Sequence, residues 1–215
     1  MKKLFLLTAG MVAMTAGVAS AQDWSGLYVG AHAGSATRES SWNDLDDDWG
    51  GGIQADDDES ALTLGGHIGY NWQHGNWVFG AQGDFSYADL SKTEFVNGDV
   101  DVDNSQSFIA DVRANVGYAF GPILPYATVG AAYADTEHSW LEIDDTDDSW
   151  QDFGNETGWV YGAGVAYALA PNWSTGLEYV HYDFGSQTET NPLGYRMRVN
   201  TESDAVQFTL NYRLG

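Results

Sequence analysis

Hydrophobic and polar residues alternate along most of this chain with a period of two. That is the period of a strand, whose successive side chains point to opposite faces. The clearest case runs from Phe108 to Phe120. Phe108, Ala110, Val112, Ala114, Val116, Tyr118 and Phe120 form an apolar face with aromatics at both ends. Ser107, Ile109, Asp111, Arg113, Asn115, Gly117 and Ala119 form the other face, small or polar with two charges near its middle. Thirteen residues exceed the usual strand length, and a tilted strand crosses a bilayer with about 9–11.

The same rule predicts seven further strands, at about 27–38, 61–72, 77–87, 125–135, 159–169 and 173–184, with a last one through Val206, Phe208, Leu210, Tyr212 and Leu214. Three connections are short: His74-Gly75-Asn76, Gly121-Pro122-Ile123 and Ala170-Pro171-Asn172. Four are long and polar: Glu39–Glu59, Asp89–Ser105, Thr136–Asn155 and Gly185–Asn200. Long and short alternate strictly, and all four prolines fall in turns, loops or the first residue of a strand, the places a sheet tolerates them. An even number of antiparallel strands, with short turns at one end and long loops at the other, predicts an eight-stranded up-and-down transmembrane β-barrel. Aromatics gather in two bands, as interfacial girdles do. Trp72, Trp77, Phe120, Tyr126, Tyr167 and Trp173 lie near the short turns; Phe85, Tyr87, Phe108, Tyr133 and Trp159 lie near the long loops. A soluble lipocalin-like barrel would reverse the faces. The less apolar face here is too sparsely charged for a solvated exterior, and a soluble core leaves the aromatic bands unexplained.

Composition agrees. Lys2 and Lys3, an apolar run from Leu4 to Val18 and the small residues Ala19-Ser20-Ala21 read as an export signal cleaved before Gln22. This divides the chain into a leader, 1–21, and a barrel domain, 22–215. The apolar run is too short for a helical span, which takes about 20 residues. With no cysteine, disulfides and thiolate metal sites are excluded. The formal net charge is −23, and loss of Lys2 and Lys3 with the leader takes it to −25. So acidic a chain is a poor partner for nucleic acid, whose phosphates recruit Lys and Arg.

Candidate chemistry is sparse. Asp84, Asp111, Arg113, Glu178 and Arg213 lie on the inward face, where ionisable groups at membrane depth must pair or be wet. They are expected to form an ionic network in the lumen: a structural plug, or alternatively an ion path. Asp44, Asp46 and Asp48 have the alternate spacing of a calcium loop, but position six is Trp49 and position twelve Ala55, where such loops need Gly and Glu. They are weak surface-cation candidates. His32 and His67 point inward on adjacent strands, but two imidazoles make no zinc site without further ligands. His181, Asp183 and Ser186 are near in sequence, yet the first two share the outward face and Ser186 lies in a loop, so no triad is predicted. No cofactor and no enzyme activity are expected.

Several short runs, in order, carry a resemblance over the whole chain beyond the leader. They are Trp24-Ser25-Gly26-Leu27-Tyr28-Val29-Gly30, Gly66 with Gly69-Tyr70-Asn71-Trp72, Val112-Arg113, Gly117-Tyr118-Ala119-Phe120 and Leu124-Pro125-Tyr126. Gly162-Ala163-Gly164, Pro171-Asn172-Trp173-Ser174, Glu178-Tyr179, Asp183-Phe184-Gly185 and Asn211-Tyr212-Arg213 continue the series. With them the chain resembles the eight-stranded outer-membrane β-barrel proteins of Gram-negative bacteria, in the alphaproteobacterial branch of small porin-like surface antigens. The resemblance implies an outer-membrane location, a structural or surface-interaction role and no catalysis. It also implies a last strand read by the barrel-assembly machinery, usually ending in an aromatic; here it ends Tyr212-Arg213-Leu214-Gly215. The expected partners are outer-membrane lipids and lipopolysaccharide, that machinery during biogenesis, and an extracellular ligand if the loops bind one. The expected function is support of the envelope and display of acidic loops. A narrow channel for small solutes or cations, and an adhesin, are the alternatives.

Overall fold

The computed structural model describes residues 22–44, 56–96, 100–142, 150–151, 155–190 and 196–214. Its strands are β1 (Gly26–Asp44), β2 (Asp56–His74), β3 (Trp77–Val96), β4 (Val100–Tyr118), β5 (Ile123–Glu142), β6 (Trp150–Gln151), β7 (Glu156–Ala170), β8 (Trp173–Thr190) and β9 (Arg196–Leu214). Every pairing is antiparallel. Each long strand bonds to its neighbours in sequence, β1 bonds to β9, and β5 passes over β6 to pair with β7. The eight long strands therefore close into a barrel. The two-residue β6 only adds to the outer end of β5, through Ser139 and Trp140.

Closure satisfies the backbone. A sheet in a medium without water must leave no edge with unpaired N–H and C=O groups, and here the β1–β9 ladder, from Leu27↔Leu214 to Asp44↔Met197, removes the last one. The short connections are tight. Gly75-Asn76 links β2 to β3, with Gly75 at φ +61°, a conformation that favours glycine. Pro171-Asn172 links β7 to β8.

The strands outrun the alternating pattern. β3 and β5 are 20 residues long and β7 is 15, so about a third to a half of each long strand exceeds the ~9–11 residues a bilayer needs. Much of what read as loop is thus paired hairpin: Ser41↔Asp56 still pairs in β1–β2 and Val96↔Val100 in β3–β4. The ladder needs only backbone groups, whereas alternation appears only where one face is apolar. The register shift between Gln106 and Phe108 falls where the alternation of β4 begins. At the other end β4 stops at Tyr118, not Phe120. Phe120 sits in the turn, bridged to Ile123, with its ring 60% exposed and 4.9 Å from that of Tyr118.

Burial is inverted relative to a soluble protein. Val112 is 68% exposed, Leu62 72% and Trp159 67%, while Arg113 between them in the wall is 1% exposed. An apolar exterior this continuous marks a non-aqueous surrounding. Inside, two apolar layers bracket a polar one. Ile109, Ala132, Ala134, Val160, Val180, Tyr182 and Phe184 pack toward the long-hairpin end. Trp24, Val78, Ala119, Leu124 and Ala166 close the short-turn end.

Val112 lies midway between the aromatic bands, so Val112→Arg is expected to destabilise the lipid-refolded barrel by about 2–4 kcal/mol, and Leu169→Arg near the short-turn band by about 0–1 kcal/mol. Equilibrium urea unfolding in lipid measures both; equal costs at the two depths would contradict the assigned orientation.

Candidate functional site in the barrel lumen

Strand parity brings the site together. β3, β4 and β8 turn Asp84, Asp111 with Arg113, and Glu178 into the lumen, while their neighbours Phe85, Val112 and Tyr179 face out. The Arg113 guanidinium meets three carboxylates: Nε lies 2.8 Å from Asp111 Oδ1, Nη2 3.2 Å from Asp84 Oδ2 and Nη1 3.3 Å from Glu178 Oε1. The N–H directions miss hydrogen-bond alignment, so these are ion pairs. Each carboxylate has a neutral donor as well. Ser86 Oγ donates to Asp84 Oδ1 at 2.9 Å, Tyr182 Oη to Asp111 Oδ2 at 3.2 Å, and Gln207 Nε2 to Glu178 Oε2 at 2.8 Å. His32 and His67 join the same layer, stacked with ring centroids 5.8 Å apart.

Arg213 does not join this network. Its guanidinium sits at the short-turn mouth and donates to the carbonyls of Asp23, Ser25 and Pro171. The reason is position: Arg213 is one residue from the end of β9, beside Gly26 and the 22–25 segment, whose carbonyls have no strand partner there. This segment folds under the barrel and inserts Trp24, 7% exposed. The Trp24 amide donates to Gln73 Oε1 at 2.7 Å. Ser25, through its amide and hydroxyl, holds the Asp23 carboxyl below its usual pKa, with Arg213 adding to the shift. Nothing in the strand pattern signalled Trp24 as a plug, because it precedes the first alternating pair.

Tyr126 also departs from expectation. It points into the lumen with Leu124 and Thr128, whereas Ala127 and Val129 face out. Its ring lies against Gly164, where an added Cβ would come within 2.7 Å. Strand five is too uniformly alanine and tyrosine for alternation to fix its parity. Trp72, Trp77, Phe120 and Trp173 are exposed outward and Tyr167 is partly so, and Trp77 meets Tyr118 edge-on at 5.3 Å. Phe85 and Phe108 stack at 5.3 Å toward the long-hairpin end.

Of the surface-cation candidates, Asp44 ends β1, and Asp46 and Asp48 lie outside the described residues. His181 takes as its acid Asp204, at 2.8 Å from Nδ1, rather than Asp183, which accepts from the Gly185 amide. Among the described residues no serine completes a triad with them. Between Trp24 and the Arg113 layer lies a cavity of about 80 Å³, reached by Tyr28, His67, Tyr126 and Glu178, with room for several waters.

A closed wall, apolar outside and charged within, with three tight turns at one end, defines a membrane-spanning β-barrel. The chain belongs to the outer membrane protein beta-barrel domain family, whose model matches residues 5–213. It is 34% identical to a 22 kDa outer membrane protein of Rhizobium leguminosarum, covering 81% of this chain and 71% of that one. It is 28% identical to a 31 kDa outer-membrane immunogenic protein of Brucella melitensis, covering 94% and 88% respectively. The crystal structure of Neisserial surface protein A is similar at a TM-score of 0.48 and 16% identity, covering 88% of this chain and 98% of that one. The protein is an outer-membrane β-barrel, and its relatives include outer-membrane immunogenic proteins. Its short turns accordingly face the periplasm and its long hairpins the cell exterior.

Arg113→Met leaves three carboxylates facing one another without their cation. The expected cost is about 3–5 kcal/mol, the usual penalty for breaking a buried pair from one side. It is read as a lower urea midpoint in lipid, and an unchanged midpoint would show that water already solvates the cluster.

Proposed function

We propose that this protein is a non-catalytic, non-conducting structural element of the outer membrane that displays acidic hairpins at the cell surface. The observation that carries this reading is the Arg113 side chain, 0% exposed, bound across the lumen to β3, β4 and β8. Eight strands leave an interior just wide enough for side chains to fill, and here apolar layers lie on both sides of the ionic one. Trp24 adds a stopper at the periplasmic mouth. A continuous water path would have to displace all of these.

The outer hairpins carry much of the chain's acidity, in runs such as Asp46-Asp47-Asp48 and Asp56-Asp57-Asp58. Divalent cations shared with lipopolysaccharide phosphates offset their mutual repulsion. The leader 1–21 is removed on export, and β9 is the strand presented to the barrel-assembly machinery, with Leu214 near the end where an aromatic is usual.

Reconstitution in planar bilayers tests the closed lumen. Wild-type protein is expected to give no stepwise conductance at any voltage that the bilayer tolerates. Stable unitary steps would transfer the reading to the narrow-channel alternative.

A further inference from the structure

Beside Arg113, in the same layer, three lone-pair donors converge. His32 Nδ1 lies 3.5 Å and His67 Nδ1 3.7 Å from the same oxygen, Asp84 Oδ2. All three side chains are at most 3% exposed, and neither Nδ1 makes a hydrogen bond. We propose that His32, His67 and Asp84 form a binding site for a divalent transition-metal ion of the zinc class.

The hydrogen bonds around the rings point this way. His67 Nε2 faces the amide oxygen of Asn211 at 2.5 Å. An oxygen there requires Nε2 to be the donor, which leaves Nδ1 with its lone pair in the neutral ring. His32 Nε2 lies 3.0 Å from Ser86 Oγ, whose own proton goes to Asp84 Oδ1. Here too Nε2 donates and Nδ1 is left bare. Two imidazole lone pairs thus face the Asp84 oxygen that Arg113 Nη2 already meets at 3.2 Å, and a metal ion among the three would relieve their mutual repulsion. The other ring nitrogen fixed by a hydrogen bond is the usual support of a metal-bound histidine.

Spacing and charge agree. Zinc bonds of about 2.0–2.1 Å in tetrahedral geometry place ligand atoms about 3.3 Å apart. The two histidine–Asp84 separations, 3.5 and 3.7 Å, are near this and too long for good hydrogen bonds. All three ligand atoms lie within 4.8 Å of one another. Around Arg113 three carboxylates face one guanidinium, and a divalent ion balances the excess. Arg113 shares Asp84 Oδ2 but keeps Asp111 and Glu178. Imidazole and carboxylate together suit zinc, nickel or copper rather than calcium. His67 lines the cavity of about 80 Å³ between Trp24 and the Arg113 layer, which leaves room for a water at the fourth position. Space for the rings comes from two glycines. A Cβ at Gly30 would come within 2.3 Å of His67 Nε2, and one at Gly65 equally close to His32 Nε2.

The test uses the full barrel, refolded in detergent, stripped with a chelator and titrated with Zn²⁺ alone while excess Ca²⁺ occupies the outer carboxylates. One tight equivalent per barrel is expected. His32→Gln and His67→Gln should each weaken it by at least about tenfold, and Asn211→Ala by about 10–100-fold through loss of ring orientation. Heat-modifiable migration checks that each variant has folded. Nitrogen-15 NMR of histidine-labelled wild-type protein needs no variant: Zn²⁺ should shift Nδ1 of two rings and leave Nε2 protonated. No Zn²⁺ binding, equal binding by the variants, or two rings carrying Nδ1 protons that Zn²⁺ does not displace would overturn the site. None of these outcomes bears on conductance, so the closed-lumen reading stands or falls separately.

Discussion

A guanidinium held in the middle of a membrane-spanning barrel imposes the constraint on which the interior depends. Arg113 cannot be neutralised at any ordinary pH, so its charge must be met by acceptors wherever the fold places it. Two acceptors, Asp84 and Asp111, come from β3 and its neighbour β4; the third, Glu178, comes from β8. In the ring of strands β8 lies away from β3 and β4, so the contact to Glu178 crosses the lumen. It therefore has its geometry only in a closed barrel of this strand number. Gln207 on β9 and Tyr182 on β8 complete the acceptors' shells, extending the same demand around the wall.

The wall obeys the complementary rule. Its outward side chains need no partner in lipid, and its backbone groups find theirs only in adjacent strands. Apolar outward faces and a satisfied polar lumen are two consequences of one solvent. The aromatic bands mark where that solvent ends. Beyond them the hairpins continue as paired backbone, free of the alternation that lipid requires, and this is why acidic sequence can run through strand without a hydrophobic pattern. At the periplasmic end the barrel is closed by its own preceding segment, with Trp24 filling the space and Arg213 gathering three carbonyls that the strands do not use.

Much of this was legible in the residues, and the legible part follows from short turns. Gly75-Asn76 sets His74 opposite Trp77, and counting back along that ladder sets His67 opposite Asp84. The β3–β4 ladder, which sets Asp84 opposite Asp111 and Gln82 opposite Arg113, runs through a long hairpin with a register shift, so there only parity was legible. Parity then put Asp84, Asp111, Arg113 and Glu178 on the inner face. What local pattern could not supply was distance across the barrel. His32 belongs to β1, which pairs with β2 through a long hairpin whose register no tight turn fixes, so its place beside His67 and Asp84 stayed hidden. Arg213 has inward parity like the others but lies too near the mouth to reach them. Tyr126 was misread because an alanine-rich strand offers both faces nearly the same hydrophobicity. Strand ends were underestimated because alternation reports the lipid boundary, not the end of hydrogen bonding.

The division between wall, lumen and ends also locates where function can act. Residues that face lipid are constrained by hydrophobicity, and those that cross the lumen are held by mutual charge. The outer hairpins and the periplasmic cavity are bound by neither. The hairpins carry dense negative charge, which suits them to cations. The cavity is small and is lined by His67 and Glu178, two side chains from the polar layer. Anything entering it meets the Asp84–Arg113 arrangement from below, where an added cation would draw Asp84 toward the histidines without releasing Arg113 from Asp111 and Glu178. The ionic layer is thus the floor of the cavity, and a cation bound there would join β1, β2 and β3 through His32, His67 and Asp84 and so tighten the barrel.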